Sequence, residues 1–227
     1  MKLEEYVELS DEKSKKFNNY MNLVLDWNEK INLTAIKEED EFVLKHFIDS
    51  LTVKDFITDR SSVIDVGTGA GFPGIPLKIY NNSLKITLLD SLNKRVKFLD
   101  EVIKDLDLKD IKAVHGRAED ISRMKEHREK YDVSISRAVA QLNVLVEYLL
   151  PFVKVGGKCI CMKGPNAEEE VKNAKNAIKI LGGEVESVNK FVLPGTDMER
   201  NIIVIKKIKN TNNKYPRKAG TPTKEPL

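Results

Sequence analysis

Residues 65–74 read Asp65-Val66-Gly67-Thr68-Gly69-Ala70-Gly71-Phe72-Pro73-Gly74, a glycine-rich turn directly after a short β-branched run. Such a turn lets backbone approach a nucleotide-like ligand closely. Its details decide which ligand. A phosphate-cradling P-loop ends in Gly-Lys-Ser/Thr, and no lysine follows Gly71, so a triphosphate has no partner here. The dinucleotide fingerprint needs its third glycine where Phe72 stands, and a bulky side chain there opposes close helix–strand packing. Asp65 argues the same way, because a carboxylate at the strand end repels pyrophosphate and attracts a cation. S-adenosylmethionine carries an ammonium and a sulfonium. It is the cofactor this loop fits, with Asp65, Gly67, Gly69 and Gly71 as candidate contacts.

Asp90 closes the next β-branched run, the place of a carboxylate that accepts both ribose hydroxyls; Asp90 or Ser91 would also suit a cap for a helix starting near Leu92 and Asn93. Farther along, Gly116-Arg117-Ala118-Glu119-Asp120 follows a third run, Ser134-Ile135-Ser136-Arg137-Ala138 ends a fourth, and Met162-Lys163-Gly164 ends a fifth. Open parallel sheets bind ligands beyond the carboxyl ends of their strands. The loop glycines, Asp90, Glu119, Arg137 and Lys163 therefore converge on one crevice, with Arg137 and Lys163 as the candidate catalytic side chains. Ser134–Ala138 holds neither the Asn/Asp-Pro-Pro-aromatic segment that handles exocyclic amines nor a cysteine for attack on a pyrimidine. A ring nitrogen such as guanine N7 needs neither, because its in-plane lone pair requires only in-line placement against the methyl group. An arginine then suits the O6 edge of guanine or a flanking phosphate.

The elements that position these residues follow from apolar spacing. Phe17, Tyr20, Met21, Val24, Leu25 and Ile31 recur at helical intervals, as do Val43, Phe47 and Leu51. Residues 1–60 thus read as an N-terminal helical extension. From Ser62 the runs Ser62–Val66, Lys85–Leu89, Ile111–His115, Asp132–Ile135 and Lys158–Met162 alternate with helical segments, predicting five parallel strands. Glu184–Val192 and Asn201–Lys207 are joined without room for a crossover helix and predict an antiparallel hairpin at the sheet edge. The expected fold is α/β: a doubly wound, seven-stranded, mostly parallel sheet over residues 61–208, with a basic tail at 209–227.

Composition narrows the setting. The chain has 227 residues, net charge +3, and no apolar stretch near the length of a membrane span. Its start is acidic and lacks the apolar core of a signal peptide, so a cytoplasmic protein is expected. Cys159 and Cys161 lie in an apolar run and read as one face of a buried strand, and His46, His115 and His127 are too scattered for a metal site, so no metal is expected. Residues 1–60 carry nine basic and fourteen acidic side chains, whereas residues 206–227 carry seven basic and one acidic. The tail is a candidate phosphate contact. His46, Asp49 and Ser50 share a helical face that either bonds the extension to the main domain or lines the crevice mouth.

From Trp27 onward the chain resembles the RsmG (GidB) family of bacterial 16S ribosomal RNA guanine-N7 methyltransferases. The resemblance rests on Trp27-Asn28 with Ile31-Asn32-Leu33-Thr34, His46-Phe47-Ile48-Asp49-Ser50-Leu51, Asp65 to Pro76, Ser136-Arg137-Ala138, and Tyr215-Pro216-Arg217-Lys218-Ala219-Gly220-Thr221-Pro222. It implies a class I methyltransferase (Rossmann-like) fold with a helical cap. It also implies cofactor contacts at Gly67 and Phe72, at Asp90, Ser91 and Leu92 near the ribose, at Ala118 and Glu119 near adenine, and at Arg137. The expected partner is 16S ribosomal RNA or a small ribosomal subunit particle, touched by Arg137, Lys163, Arg200, Arg217 and Lys218; nothing demands more than a monomer. A small-molecule methyltransferase and a non-catalytic RNA-binding module that keeps the cofactor pocket are the competing readings. The basic tail speaks against the first, and the intact set Asp65, Gly67, Gly69, Gly71 and Asp90 against the second.

Overall fold

The computed structural model describes residues 2–227. Helix α1 (Asp11–Ile31) opens the fold; the Ser10 hydroxyl accepts from the Lys13 amide at its start, and Asn32 ends it in the left-handed region at φ 50°. Phe17, Tyr20, Met21 and Val24 form its buried stripe. The second helical segment is continuous but not uniform. α2 (Glu39–Phe42) passes through a π-helical turn, Val43–Ile48, into α3 (Asp49–Leu51). Wider turns of this kind recur at functional sites, and this one carries His46.

The sheet consists of β1 (Ser62–Val66), β2 (Lys85–Asp90), β3 (Ile111–His115), β4 (Tyr131–Arg137), β5 (Val153–Lys163), β6 (Gly183–Val192) and β7 (Glu199–Lys207). Their order is β3-β2-β1-β4-β5-β7-β6. β1 to β5 run parallel, and β7 lies antiparallel between β5 and β6. The connecting helices are α4 (Gly74–Tyr80), α5 (Asn93–Asp105), α6 (Ala118–Ile121), α7 (Leu142–Leu149) and α8 (Ala167–Ile180). The strand order reverses between β1 and β4, which opens a crevice at their carboxyl ends.

Strand alternation splits the core in two. Val63, Ile135, Ile160, Ile202 and Val204 face the extension, α4 and α5, in one layer with Phe17, Tyr20, Phe47 and Phe98. Ile64, Cys159, Cys161, Ile203 and Ile205 face α7 and α8 on the other side. The N-terminal extension thus shares a core with the sheet and is fastened over the glycine loop, where the Tyr20 hydroxyl donates to the Ala70 carbonyl at 2.6 Å.

The basic tail at 209–227 is docked on the sheet domain. Tyr215 and Pro216 are buried, Tyr215 packs in the core layer beneath α7, and the chain ends beside a short turn, α9 (Thr221–Lys224). Among the described residues no helix is long and apolar enough to cross a membrane.

Candidate active site

Two depressions lie at the carboxyl ends of the parallel strands. The first, of about 240 Å³, is lined by Gly67, Asp90, Ser91, Ala118 and Glu119, together with Val139 and others. The second, of about 470 Å³, is lined by Lys45, His46, Asp49, Arg137, Lys163 and Arg200, with Ala138, Met162, Gly164 and Glu170. Ala138 faces the second and Val139 the first, so the turn after β4 is the partition between them.

The glycine loop is braced from beneath. Asp65 is fully buried, and its Oδ2 accepts the Thr68 hydroxyl at 2.7 Å and the Gly74 amide at 2.8 Å. Burial pushes its carboxyl up to about 6. Asp65 thus holds the loop's shape from beneath, outside the first cavity's lining, while its Oδ1 is buried without a hydrogen-bond partner among the described residues. Gly67 has φ +71°, and a Cβ there would come within 2.6 Å of Val139. Gly69 donates its amide to Asp90 at 2.9 Å, tying the loop to β2. Gly71 faces the opposite way, toward Ile75 and the Tyr20 hydroxyl, away from the cavity.

Asp90 does two jobs. Its Oδ2 takes the Gly69 amide, and its Oδ1 takes the Leu92 amide at 2.9 Å, so it also shapes the entry to α5. Ser91 joins the lining, whereas Leu92 is exposed and lies outside it. Phe72, expected at the cofactor, points into the extension. His46 stacks on its ring at 4.3 Å, the Arg137 guanidinium lies 5.1 Å from its centroid, and Tyr20, Phe42 and Phe47 pack around it.

Arg137 stands at the end of β4 and is held on one side. Its Nη1 donates to the Lys45 carbonyl at 2.9 Å and to Asp49 at 3.0 Å, and its Nη2 donates to His46 Nδ1 at 3.2 Å. Burial, and next the positive charge of Arg137, bring His46 down to about 3, so the ring is neutral. Because arginine only donates, Nδ1 accepts, which leaves the proton on Nε2 facing the Thr34 hydroxyl at 2.7 Å. Asp49 is buried, and its other oxygen takes Arg200 Nε at 3.0 Å. Both expectations for His46 and Asp49 therefore hold together, since the pair bonds the extension to the sheet and lines the cleft.

Lys163 is more committed than expected of a catalytic group. Its ammonium meets Glu170 at 2.7 Å and the Ala140 carbonyl, and Glu170 also accepts the Leu142 amide at 2.7 Å. Lys163 thereby braces the partition turn. Arg217, expected at a phosphate, is anchored inward: its backbone amide, Nε and Nη2 all bond Glu147, whose side chain is 0% exposed. Lys218 is exposed. The sequence reading missed Tyr148, Gly220 and Thr223 in the first cavity and Lys45 and Glu170 in the second.

His46 gives a pH signature. The unfolded imidazole titrates near 6.5 and the folded one near 3, so the unfolded chain binds the extra proton in between. Its contribution to stability is complete above about pH 6.5 and is lost as pH falls toward 3. Asp65, raised by burial, works in the opposite sense between its ordinary value and about 6. Comparison with His46→Gln isolates the histidine. Between pH 7 and pH 5 the wild type should lose about 1–2 kcal/mol more than the variant in urea titrations, and equal losses would place His46 in a solvated site.

This geometry has relatives. Residues 13–203 match the family model described as rRNA small subunit methyltransferase G. Proteins named ribosomal RNA small subunit methyltransferase G are similar over nearly the whole chain: that of Acetivibrio thermocellus is 57% identical across 97% of this chain and 91% of its own, and that of Alkaliphilus metalliredigens 54% across 96% and 92%. The chain belongs to this family. Among solved structures, M. jannaschii TYW2 in complex with AdoMet has TM-score 0.57 at 16% identity, covering 71% of this chain and 76% of its own. A SAM-dependent methyltransferase from Aquifex aeolicus has TM-score 0.52 at 17% identity, covering 74% and 93%. These two share the fold, a class I methyltransferase sheet. In this member of the methyltransferase G family the two cavities meet at the turn after β4, where that sheet places its ligands.

Proposed function

We propose that the chain transfers the methyl group of S-adenosylmethionine to N7 of a guanine in 16S ribosomal RNA, with the cofactor in the first cavity and the base in the second. When bound, S-adenosylmethionine supplies an electrophilic methyl group. The residues of the first cavity fit it: Gly67 leaves the backbone bare beside Val139, Asp90 would accept from ribose hydroxyls, and Ala118 and Glu119 would border the adenine.

The observation that carries the choice of base is the free edge of Arg137. Three of its five N–H groups are taken by Lys45, Asp49 and His46, and its Nε and one Nη2 proton have no partner among the described residues. Guanine presents O6 next to N7, so a fixed donor pair at O6 places the N7 lone pair without competing for it. No group has to remove a proton before transfer, because N7 carries none. The chain's work is placement.

The cleft sets four cations, Lys45, Arg137, Lys163 and Arg200, against the carboxylates Asp49 and Glu170. That excess suits the phosphates around a target nucleotide, and Lys218 in the tail is exposed and free to add to it. The protein works as a monomer in the cytoplasm, on ribosomal RNA or a small-subunit particle. Labelled methyl transfer to 16S RNA or small-subunit particles, followed by cleavage at 7-methylguanosine, should release label at one site. Label in another nucleotide, or none, overturns the assignment.

A further inference from the structure

The chain after β7 is fastened step by step until it reaches the first cavity. Lys207 is fully buried and donates to the Leu150 carbonyl at 2.7 Å and to the Thr211 hydroxyl at 2.5 Å. Arg128 donates to the carbonyls of Thr211 and Tyr215 at 2.8 and 2.9 Å. Arg217 then closes on Glu147 in α7. Beyond that clamp the Gly220 amide donates to Glu119 Oε1 at 3.0 Å, and the Thr223 and Tyr148 hydroxyls lie 2.9 Å apart. Gly220, Thr223 and Tyr148 line the same cavity as Gly67, Asp90 and Glu119.

We propose that the last eight residues, Gly220–Leu227, are part of the cofactor-binding site, with Gly220, Thr223 and Tyr148 forming the outer wall over its adenine end. The inference rests on the reading of the first cavity as the S-adenosylmethionine site. Glu119 is buried on the short helix α6. The Gly220 amide fixes Glu119 through Oε1 and leaves Oε2 to accept, and an exocyclic amine is the donor that adenine offers. Gly220 sits at φ +83°, a conformation that a side chain would strain, so the wall's position is tied to glycine there. The basic tail thus has a task apart from phosphate contact: it encloses the cofactor.

Two variants test this. One ends the chain after Ala219, leaving Arg217 and Glu147 in place; the other, Thr223→Trp, pushes bulk into the cavity from an exposed position. Calorimetric titration with S-adenosylhomocysteine should show both binding about tenfold more weakly or worse, as expected when a pocket that buries most of its ligand loses or misplaces a wall. Lys175→Gln, exposed on α8 and outside the lining, should bind as the wild type does. If the shortened chain binds S-adenosylhomocysteine as tightly as the full chain, the inference is overturned while the reading of the cavity stands. If the full chain does not bind it, the reading itself falls and takes the inference with it. Should the shortened chain fail to fold, Thr223→Trp decides, and wild-type affinity in that variant sinks the proposal.

Discussion

Arg137→Met should lower the rate of methyl transfer by about 10²–10³-fold, the scale seen when one preorganised donor is removed from an active site. Methionine keeps much of the length and loses every N–H. Cofactor affinity should change by less than about tenfold, because Arg137 lines the second cavity and not the first. Stability should fall only modestly, since Asp49 keeps Arg200 as a partner. Arg137→Lys should not rescue the rate: a lysine cannot reproduce three anchored N–H groups and still present a planar edge to O6. The measurement is a single-turnover rate with saturating cofactor, set beside the dissociation constant for S-adenosylhomocysteine. A variant that methylates normally would remove Arg137 from the reacting centre, and one that loses cofactor binding and rate in equal measure would move it to the first cavity.

The same residue shows how far sequence alone reaches. Arg137 was placed in the crevice because β4 could be read from its β-branched run, and parallel strands deliver their last residues to one edge. Its partners could not be read that way. His46 and Asp49 lie about ninety positions earlier in an extension whose helical spacing was clear but whose docking was not, and the anchoring bonds join the two segments. Asp65 shows another limit. Its type and place suit a ligand contact, but the sequence does not tell that the amide of Gly74 and the hydroxyl of Thr68 both take its Oδ2.

The hairpin carries its strand order in its apolar patterning. β7 reads Ile202-Ile203-Val204-Ile205, apolar on both faces, whereas β6 alternates Glu184, Val185, Glu186. A strand buried on both faces is an inner strand, and an alternating one lies at an edge, which is the order observed. The docking of the tail is not legible in its charge, because charge counts register side chains and not partners. A signal for it lies in Glu147, the single acid in the apolar helix Leu142–Leu149. A carboxylate on such a helix demands a cation from elsewhere.

That demand gives the largest expected effect on stability. Glu147 is 0% exposed, so Arg217→Met leaves a buried carboxylate with only the Arg217 amide as donor. Breaking a buried pair from one side costs about 3–5 kcal/mol, and urea titration at pH 8 should find a loss of that size. Glu147→Leu with Arg217→Met removes both charges and should be far closer to the wild type than Arg217→Met alone, because an apolar pair of similar volume does not have to be desolvated. If the double variant is as unstable as the single one, the damage comes from lost packing of the tail; if Arg217→Met costs under about 1 kcal/mol, the pair behaves as a surface contact, and the tail is held by Lys207 and Arg128 alone.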